Sequence, residues 1–251
     1  MTLCDDCFKG VRHEGVPEGQ LETIGGVPCY VGTPSGEYDK DAVVLFLTDV
    51  FGMSYINNKL LVDSFAQNGL KVVCPDLFGG DPIPGDMLGP DGNRVDVAAW
   101  KTRHPLQECR PTIDKVVAAL KDTGIVRFGS TSYCFGAPFT FQLACENITK
   151  VSVTAHPSAL AIPEDLEKYA QTSKAPLLIN SCTTDAPFPP DAQAKADEIL
   201  GGGKFAPGYQ REYWDGCSHG FAVRGDLSDP KVKAGKEGAF LKSVEFFKKH
   251  L

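Results

Sequence analysis

The sequence predicts an α/β protein with a mostly parallel central sheet and helices on both faces of that sheet. Short and nearly continuous apolar runs such as Asp41–Leu47 are typical of parallel strands that are covered on both faces. Segments with the 3.6-residue periodicity of helices, such as Tyr55–Gly69, alternate with these runs along the chain. Strands that alternate with helices indicate a parallel sheet, and we expect a single domain that spans residues 1–251.

Composition and charge narrow the class of protein. The 251 residues are 42% hydrophobic and 23% charged, which is ordinary for a soluble globular protein. The net charge is −7 and no basic patch is present, so we expect neither nucleic acid nor a membrane as a partner. No apolar run approaches the roughly 20 residues that cross a bilayer. We therefore expect a small-molecule partner, and a homo-oligomer is compatible with these features.

The cysteines and the N-terminus bear on the cellular compartment. The nine cysteines are an odd number spread over the whole chain, and the first residues lack the charged-then-apolar pattern of a signal peptide. These features predict reduced thiols and a cytoplasmic location. Cys4 and Cys7 form a C-x-x-C pair near His13, but no second ligand pair follows at zinc-site spacing. We expect no metal site and no cofactor.

The individual elements follow from apolar runs, periodicity and turn residues. Gly25-Gly26 predicts a hairpin, and Pro82–Arg94 predicts a long loop because it is rich in Pro, Gly and Asp. The expected strands are Gln20–Ile24, Val27–Gly32, Asp41–Leu47, Leu70–Cys74, Ile125–Phe128, Val151–Ala155, Ala175–Ser181 and Gln210–Trp214. The expected helices are Tyr55–Gly69, Val97–His104, Pro111–Gly124, Pro163–Thr172, Asp191–Leu200 and Ala234–His250.

The stretch Val126–Cys145 has the pattern of a buried strand, a sharp turn and a helix, with Cys134 at the apex of the turn. Ser132 and Gly136 flank the cysteine as in the G-x-nucleophile-x-G layout of a nucleophile elbow, with Ser in place of the first Gly. The helix N-terminus would favour a thiolate through its dipole and free N–H groups. A buried and inert cysteine is the alternative that this stretch alone leaves open.

Polar residues follow the predicted strands at their carboxyl ends, where ligands bind in such folds. Cys134, Asp185 and His219 occur there in the order nucleophile, acid, histidine, which is the order of a hydrolase triad. A histidine can take the thiol proton and return it to the leaving group, while a carboxylate orients its ring. Taken alone, an aspartate such as Asp185 before Pro187 is more often a turn former, and a histidine such as His219 beside Gly220 is compatible with a loop residue. Their joint placement favours the catalytic interpretation.

Several segments resemble the dienelactone hydrolase family of the α/β-hydrolase superfamily, and together they cover nearly the whole chain. They are Thr48–Gly52, Cys74–Phe78, Tyr133–Gly136, Asp185 and His219–Asp226, and the N-terminal Cys4–His13 resembles the fungal branch. The resemblance implies the α/β-hydrolase fold. It also implies hydrolysis of a small ester or lactone, of which dienelactone is an example, through a Cys-His-Asp triad and a thioester acyl-enzyme.

The same resemblance implies roles for residues around the triad. Asp49 stands where the family has a carboxylate that hydrogen-bonds the resting thiol and later accepts its proton. The backbone N–H groups of Val50 and Phe135 correspond to the oxyanion hole. The residues predicted to line the substrate pocket are Phe78, Trp100, Phe135, His156 and Phe188.

The arginines differ from the bacterial pattern, in which two arginines bind the substrate carboxylate. The region of the first arginine holds Gly79, Gly80 and Asp81. The position of the second holds Val223, and Arg224 is one residue further on. We expect Arg224 to bind any substrate carboxylate, since it is the arginine near the catalytic histidine in sequence.

Two functions of other classes remain open. A thiol redox protein would use Cys134 as the oxidised residue and Cys4, Cys7 or Cys182 as its resolving partner. A non-catalytic protein that binds small molecules would keep the same fold without turnover. Ester turnover that depends on Cys134 separates a hydrolase from both.

Overall fold

The computed structural model describes residues 13–85 and 95–251. Its central element is a sheet of eight strands. They are β1 (Gln20–Ile24), β2 (Val27–Gly32), β3 (Ala42–Leu47), β4 (Val72–Pro75), β5 (Arg127–Tyr133), β6 (Val151–Ala155), β7 (Leu177–Thr184) and β8 (Tyr209–Ser218). The spatial order is β1-β2-β4-β3-β5-β6-β7-β8. The strands from β4 to β8 pair in parallel, whereas β2 is antiparallel to both β1 and β4. The mostly parallel sheet expected from the sequence is confirmed.

Helices cover both faces of the sheet. They are α1 (Ile56–Gln67), α2 (Val97–Arg103), α3 (Leu106–Asp122), α4 (Ala137–Cys145), α5 (Glu164–Thr172), α6 (Pro190–Leu200), α7 (Phe221–Arg224) and α8 (Pro230–His250). Every residue of β3 is buried, so the side chains on both of its faces are covered. Helix α1 packs on α8 through the rings of Phe65 and Phe240, whose centroids are 4.9 Å apart. Helix α4 packs on α5 through Phe141 and Tyr169, at 5.0 Å.

None of the helices in the described ranges combines the length and the apolar character that a membrane crossing requires.

The predicted interiors of the elements are close to the observed ones, and the main differences lie at their ends. Helix α3 begins at Leu106, so the predicted start at Pro111 is wrong, and this proline lies inside the helix. Proline removes one helical hydrogen bond. Cys109 and Ile113, which lie on either side of Pro111 and four residues apart, are nevertheless both buried on the same face of the helix. Their packing stabilises the helix at the proline.

The turn after β5 needs a glycine at position 136. A Cβ atom built on Gly136 would lie 2.3 Å from the carbonyl oxygen of Leu47, in the neighbouring strand β3. Real Cβ atoms do not come this close to a backbone oxygen, so any larger residue would push the turn away from β3. Since the turn carries Cys134, its close approach to β3 also fixes the position of the thiol.

We therefore predict that Gly136→Ala lowers the free energy of unfolding by about 1–3 kcal/mol, the usual cost of overpacking a tight interior. Gly36→Ala is the matched control, because a Cβ at Gly36 meets nothing within 4 Å and its φ is not positive. Chemical denaturation of both variants measures the difference. Equal stability of the two variants would contradict a close-packed turn.

Candidate active site

Cys134 lies at the carboxyl end of β5, at the start of a short 3-10 turn that leads into α4. Its backbone is left-handed, with φ of +48°, which is uncommon for a residue that is not glycine. The residue is fully buried. A strained strand-to-helix turn with a cysteine at its apex has the geometry of a nucleophile elbow.

Ser132 fills the position where such elbows usually have a glycine. In the parallel register it lies between Leu47 of β3 and Thr154 of β6. Its hydroxyl donates a hydrogen bond to Thr154 Oγ1 at 3.0 Å. The serine side chain is therefore held by the neighbouring strand, away from the thiol, and the elbow forms without the first glycine.

His219 and Asp185 form a buried pair beyond the ends of β8 and β7. His219 Nδ1 is 2.8 Å from Asp185 Oδ1, and both side chains are fully shielded from solvent. Asp185 Oδ1 also accepts a hydrogen bond from the backbone N–H of Phe188 at 3.1 Å, and Oδ2 accepts one from the Cys182 thiol at 3.7 Å. The backbone N–H of His219 bonds the carbonyl of Thr184 at 2.8 Å. These contacts hold the imidazole in one orientation.

His156 directly follows β6, a strand that lies between β5, which precedes Cys134, and β8, which precedes His219. The centroid of its ring is 5.0 Å from that of His219 and 6.0 Å from that of Tyr133. Burial, reinforced by the nearby His219 and Arg224, holds the pKa of His156 well below its usual value, so the ring is neutral. Within the described residues, neither of its ring nitrogens has a hydrogen-bond partner. The ring therefore offers a donor and an acceptor to a ligand.

The thiol of Cys134 has a neighbour that the sequence did not reveal. Ser158 Oγ lies 3.5 Å from Cys134 Sγ, and the backbone N–H of Ser158 donates to the carbonyl of Cys134 at 3.1 Å. Both residues are buried. Ser158 follows a His-Pro dipeptide at a strand end, which is a turn signal but does not indicate contact with a residue 24 positions away.

Asp49 and Arg224 form a second buried pair. Arg224 Nη1 donates to Asp49 Oδ2 at 2.8 Å, and both side chains are almost fully buried. Asp49 Oδ1 accepts hydrogen bonds from Asn58 Nδ2 at 3.1 Å and from the backbone N–H of Phe51 at 3.3 Å. Within the described residues, the hydrogen bonds of Asp49 thus go to these groups. The predicted role of Asp49 towards the Cys134 thiol stays a prediction.

The short helix α7 holds Arg224 in place. The guanidinium of Arg224 packs directly on Gly220, whose φ is +91°, and a Cβ there would lie 2.3 Å from Arg224 Cζ. Lys236 of α8 donates to the carbonyl oxygens of Ala222 and Val223, each at 3.0 Å. Burial lowers the pKa of Lys236 to about 7. The close packing at Gly220 ties Arg224 to the loop that carries His219.

Three of the residues predicted to line the pocket form one aromatic cluster. The ring of Phe78 lies 5.0 Å from that of Trp100 and 5.2 Å from that of Phe135. Trp100 Nε1 donates to the carbonyl oxygen of Asp81 at 2.7 Å. The indole is thereby fixed beside the elbow. Phe188 lies elsewhere, in a separate core cluster near Asp185.

The remaining predictions concern metals and cysteines. The described residues contain no group of three or more His, Cys, Asp or Glu side chains that is arranged to hold a metal ion. The seven cysteines in residues 13–85 and 95–251 are all free thiols. Cys4 and Cys7 lie outside the described residues. Cys182, named above as a resolving partner for redox chemistry, donates a hydrogen bond from its thiol to Asp185 Oδ2.

Comparisons with known proteins agree with this architecture. The family model of the dienelactone hydrolase family matches residues 27–251. "Hydrolase pyvD" of Aspergillus violaceofuscus is 32% identical over 98% of this chain and 96% of its own length. "Dienlactone hydrolase 1" of Gibberella moniliformis is 32% identical over 97% of this chain and 92% of its own length.

Solved structures with low sequence identity share the fold. A crystal structure of a dienelactone hydrolase from Anabaena variabilis has a TM-score of 0.63 at 15% identity and covers 95% of this chain and 100% of its own. A monoglyceride lipase of Saccharomyces cerevisiae has a TM-score of 0.62 at 12% identity over 95% of this chain and 96% of its own. The fold is thus that of the α/β hydrolases. With a family model that matches from Val27 to the last residue and with relatives similar along nearly their whole length, the chain belongs to the dienelactone hydrolase family and is a hydrolase of esters or lactones.

Proposed function

We propose that this protein hydrolyses a small ester or lactone with Cys134 as nucleophile, His219 as general base and acid, and Asp185 as the residue that orients His219. The observation that carries the proposal is the buried 2.8 Å contact between His219 and Asp185. It lies at the carboxyl end of the parallel strands, the same end at which Cys134 has its left-handed backbone. Both features are costly in a folded protein. An inert core cysteine would need neither of them.

The reaction proceeds in two halves. The sulfur of Cys134 bonds to the substrate carbonyl carbon while His219 takes the thiol proton, and the C–O bond to the leaving oxygen then breaks as His219 protonates that oxygen. In a lactone the leaving oxygen stays on the same molecule. A water molecule next gives a proton to His219 and attacks the thioester carbon, which breaks the C–S bond and restores the thiol. Asp185 stabilises the imidazolium in both halves.

The negative charge that develops on the carbonyl oxygen needs donors. The backbone N–H groups of Val50 and Phe135 fit this role. Val50 is fully buried just beyond β3, and its N–H has no hydrogen-bond acceptor among the described residues. Phe135 lies in the first turn after Cys134, where N–H groups have no carbonyl partner inside the helix. Preorganised donors of this kind contribute strongly to catalysis.

The first prediction from this mechanism concerns the nucleophile. Cys134→Ala is expected to abolish hydrolysis of p-nitrophenyl acetate, because no other group replaces the sulfur. Cys145→Ala, which removes a free thiol on α4, is the matched control and is expected to keep the wild-type rate. His219→Ala should lose roughly 10²–10⁴-fold, the usual share of general base catalysis. Wild-type turnover by Cys134→Ala would refute the triad.

The second prediction concerns His156, whose ring we place in the substrate site. His156→Phe keeps an aromatic ring and removes two buried nitrogens that lack partners among the described residues. Since an unpaired buried polar group costs about 1–3 kcal/mol, the variant is expected to unfold at equal or higher denaturant concentration. Its KM is expected to rise, because the substrate loses a hydrogen-bond partner. Unchanged KM would show that His156 is not a substrate contact.

The third prediction concerns the buried Asp49–Arg224 pair. Removing one partner leaves an uncompensated buried charge, which typically costs about 3–5 kcal/mol. Asp49→Asn and Arg224→Met are each expected to lower stability by this order. The double variant is expected to lose less than the sum of the two, since it buries no lone charge. Additive losses in chemical denaturation would mean that the two side chains do not depend on each other.

A variant of the same arginine tests whether the substrate carries a carboxylate. If Arg224 binds a substrate carboxylate, its guanidinium must leave the carboxylate of Asp49 and pair with that of the substrate. Arg224→Met is then expected to raise KM for acidic lactones about tenfold or more, as expected for a lost hydrogen bond to a charged group, and to change KM for neutral esters less. Equal changes for acidic and neutral substrates would mean that the arginine serves only to hold Asp49.

A further inference from the structure

We propose that the Ser158 hydroxyl is the partner of the Cys134 thiol in the resting enzyme and a hydrogen-bond donor to the thiolate during catalysis. The proposal rests on the function assigned above to Cys134 and adds a catalytic residue beside it. Its basis is the 3.5 Å contact between Ser158 Oγ and Cys134 Sγ at a buried position.

Two contacts link Ser158 to the nucleophile. The first joins the two side chains, and in it either atom can donate. The second runs from the backbone N–H of Ser158 to the carbonyl oxygen of Cys134, at 3.1 Å. The backbone hydrogen bond holds the main chains of the two residues together, so the side chains meet without any movement of the chain. The contact between the hydroxyl and the sulfur then depends only on the side-chain rotamers that the structure shows.

The backbone around Ser158 is unusual as well. His156 and Ala159, on either side of it, have left-handed conformations with φ of +38° and +60°. Such conformations are uncommon outside glycine, and they persist only where the surrounding structure imposes them. Here they turn the chain sharply after β6 and bring Ser158 back over the end of β5.

Two other polar side chains expected near the thiol, those of Asp49 and Ser132, have hydrogen-bond partners of their own. The carboxylate of Asp49 accepts from Arg224, Asn58 and the backbone of Phe51. The hydroxyl of Ser132 donates to Thr154 Oγ1. Ser158 is thus the residue whose hydroxyl contacts the sulfur in the described structure.

A serine hydroxyl suits both states of the nucleophile, because it donates and accepts. In the resting enzyme it can accept from the S–H group. When the S–H bond breaks and the proton moves to His219, the hydroxyl rotates and donates to the sulfur anion. No bond to Ser158 forms or breaks, so the hydroxyl stabilises the thiolate without entering the covalent sequence. The hydrogen bond donated to the charged thiolate is stronger than the one accepted from the neutral S–H group, so the net effect of the hydroxyl is to favour the thiolate.

Charged and titratable groups also lie in the elements around this end of the sheet and must stay constant in any test. They are His156 beyond β6, the His219–Asp185 pair beyond β8 and β7, the Asp49–Arg224 pair between β3 and α7, and Lys236 of α8. None of them changes in a variant that removes only the Ser158 oxygen. A change in the titration of Cys134 in that variant therefore reports on the hydroxyl itself.

The test compares Ser158→Ala with Ser132→Ala as the control. Ser132 also has a buried hydroxyl and is two residues from the nucleophile, but its hydroxyl donates to Thr154 rather than to the sulfur. The rate at which iodoacetamide alkylates Cys134 is followed against pH by peptide mass spectrometry. Ser158→Ala is expected to raise the midpoint by about one pH unit, which is about a tenfold loss of thiolate below it. Ser132→Ala is expected to leave the midpoint unchanged.

The midpoint is also measured from thiolate absorbance at 240 nm, which does not depend on access of a reagent. The absorbance of Cys134 is obtained by subtracting that of the same protein with Cys134→Ala. Equal midpoints in Ser158→Ala and the wild type would overturn the proposal, as would a loss of activity that lies wholly in KM. Failure of the hydrolase assignment is distinguishable from this, because it would appear as absent ester turnover in the wild type. The titration of the thiol needs no substrate and would still be measured.

Discussion

The left-handed backbone at Cys134 is the constraint on which the site depends. A residue other than glycine in this conformation costs on the order of 1–3 kcal/mol, so the surrounding structure must impose it. Strand β5 is paired on both sides, with β3 and β6, and cannot shift to relieve the turn. Gly136 lets the turn lie against Leu47 with no room for a side chain. Because β5 is held on both sides, the position of the Cys134 sulfur at its end is fixed as well.

Buried polar groups at this end of the sheet compensate one another. The imidazole of His219 is matched by Asp185, and the guanidinium of Arg224 by Asp49. In a low-dielectric interior, each pair avoids the penalty of an isolated charge. His156 differs because it is neutral and its ring nitrogens have no partner within the described residues. This residue is where a ligand would complete the hydrogen bonding.

Much of the fold was predictable because it depends on local patterns. Apolar runs and helical periodicity located the eight strands and most helices, and the layout around Cys134 indicated the elbow. Element ends were less predictable. Strand β8 extends to Ser218 because it pairs again with Thr184 after a register shift, a long-range effect with no local signature. Helix α7 is too short for a periodic pattern.

The sequence by itself determined the order of the strands and helices, the chemistry-bearing residues at the strand ends and the family to which they point. Only the tertiary structure decided which side chains meet. Asp49 and Arg224 are 175 positions apart, and Cys134 and Ser158 belong to different strand ends. Such contacts depend on the sheet order and on the path of each loop. Periodicity and turn residues report the environment of a residue along the chain, but they carry no information about its partner across the sheet.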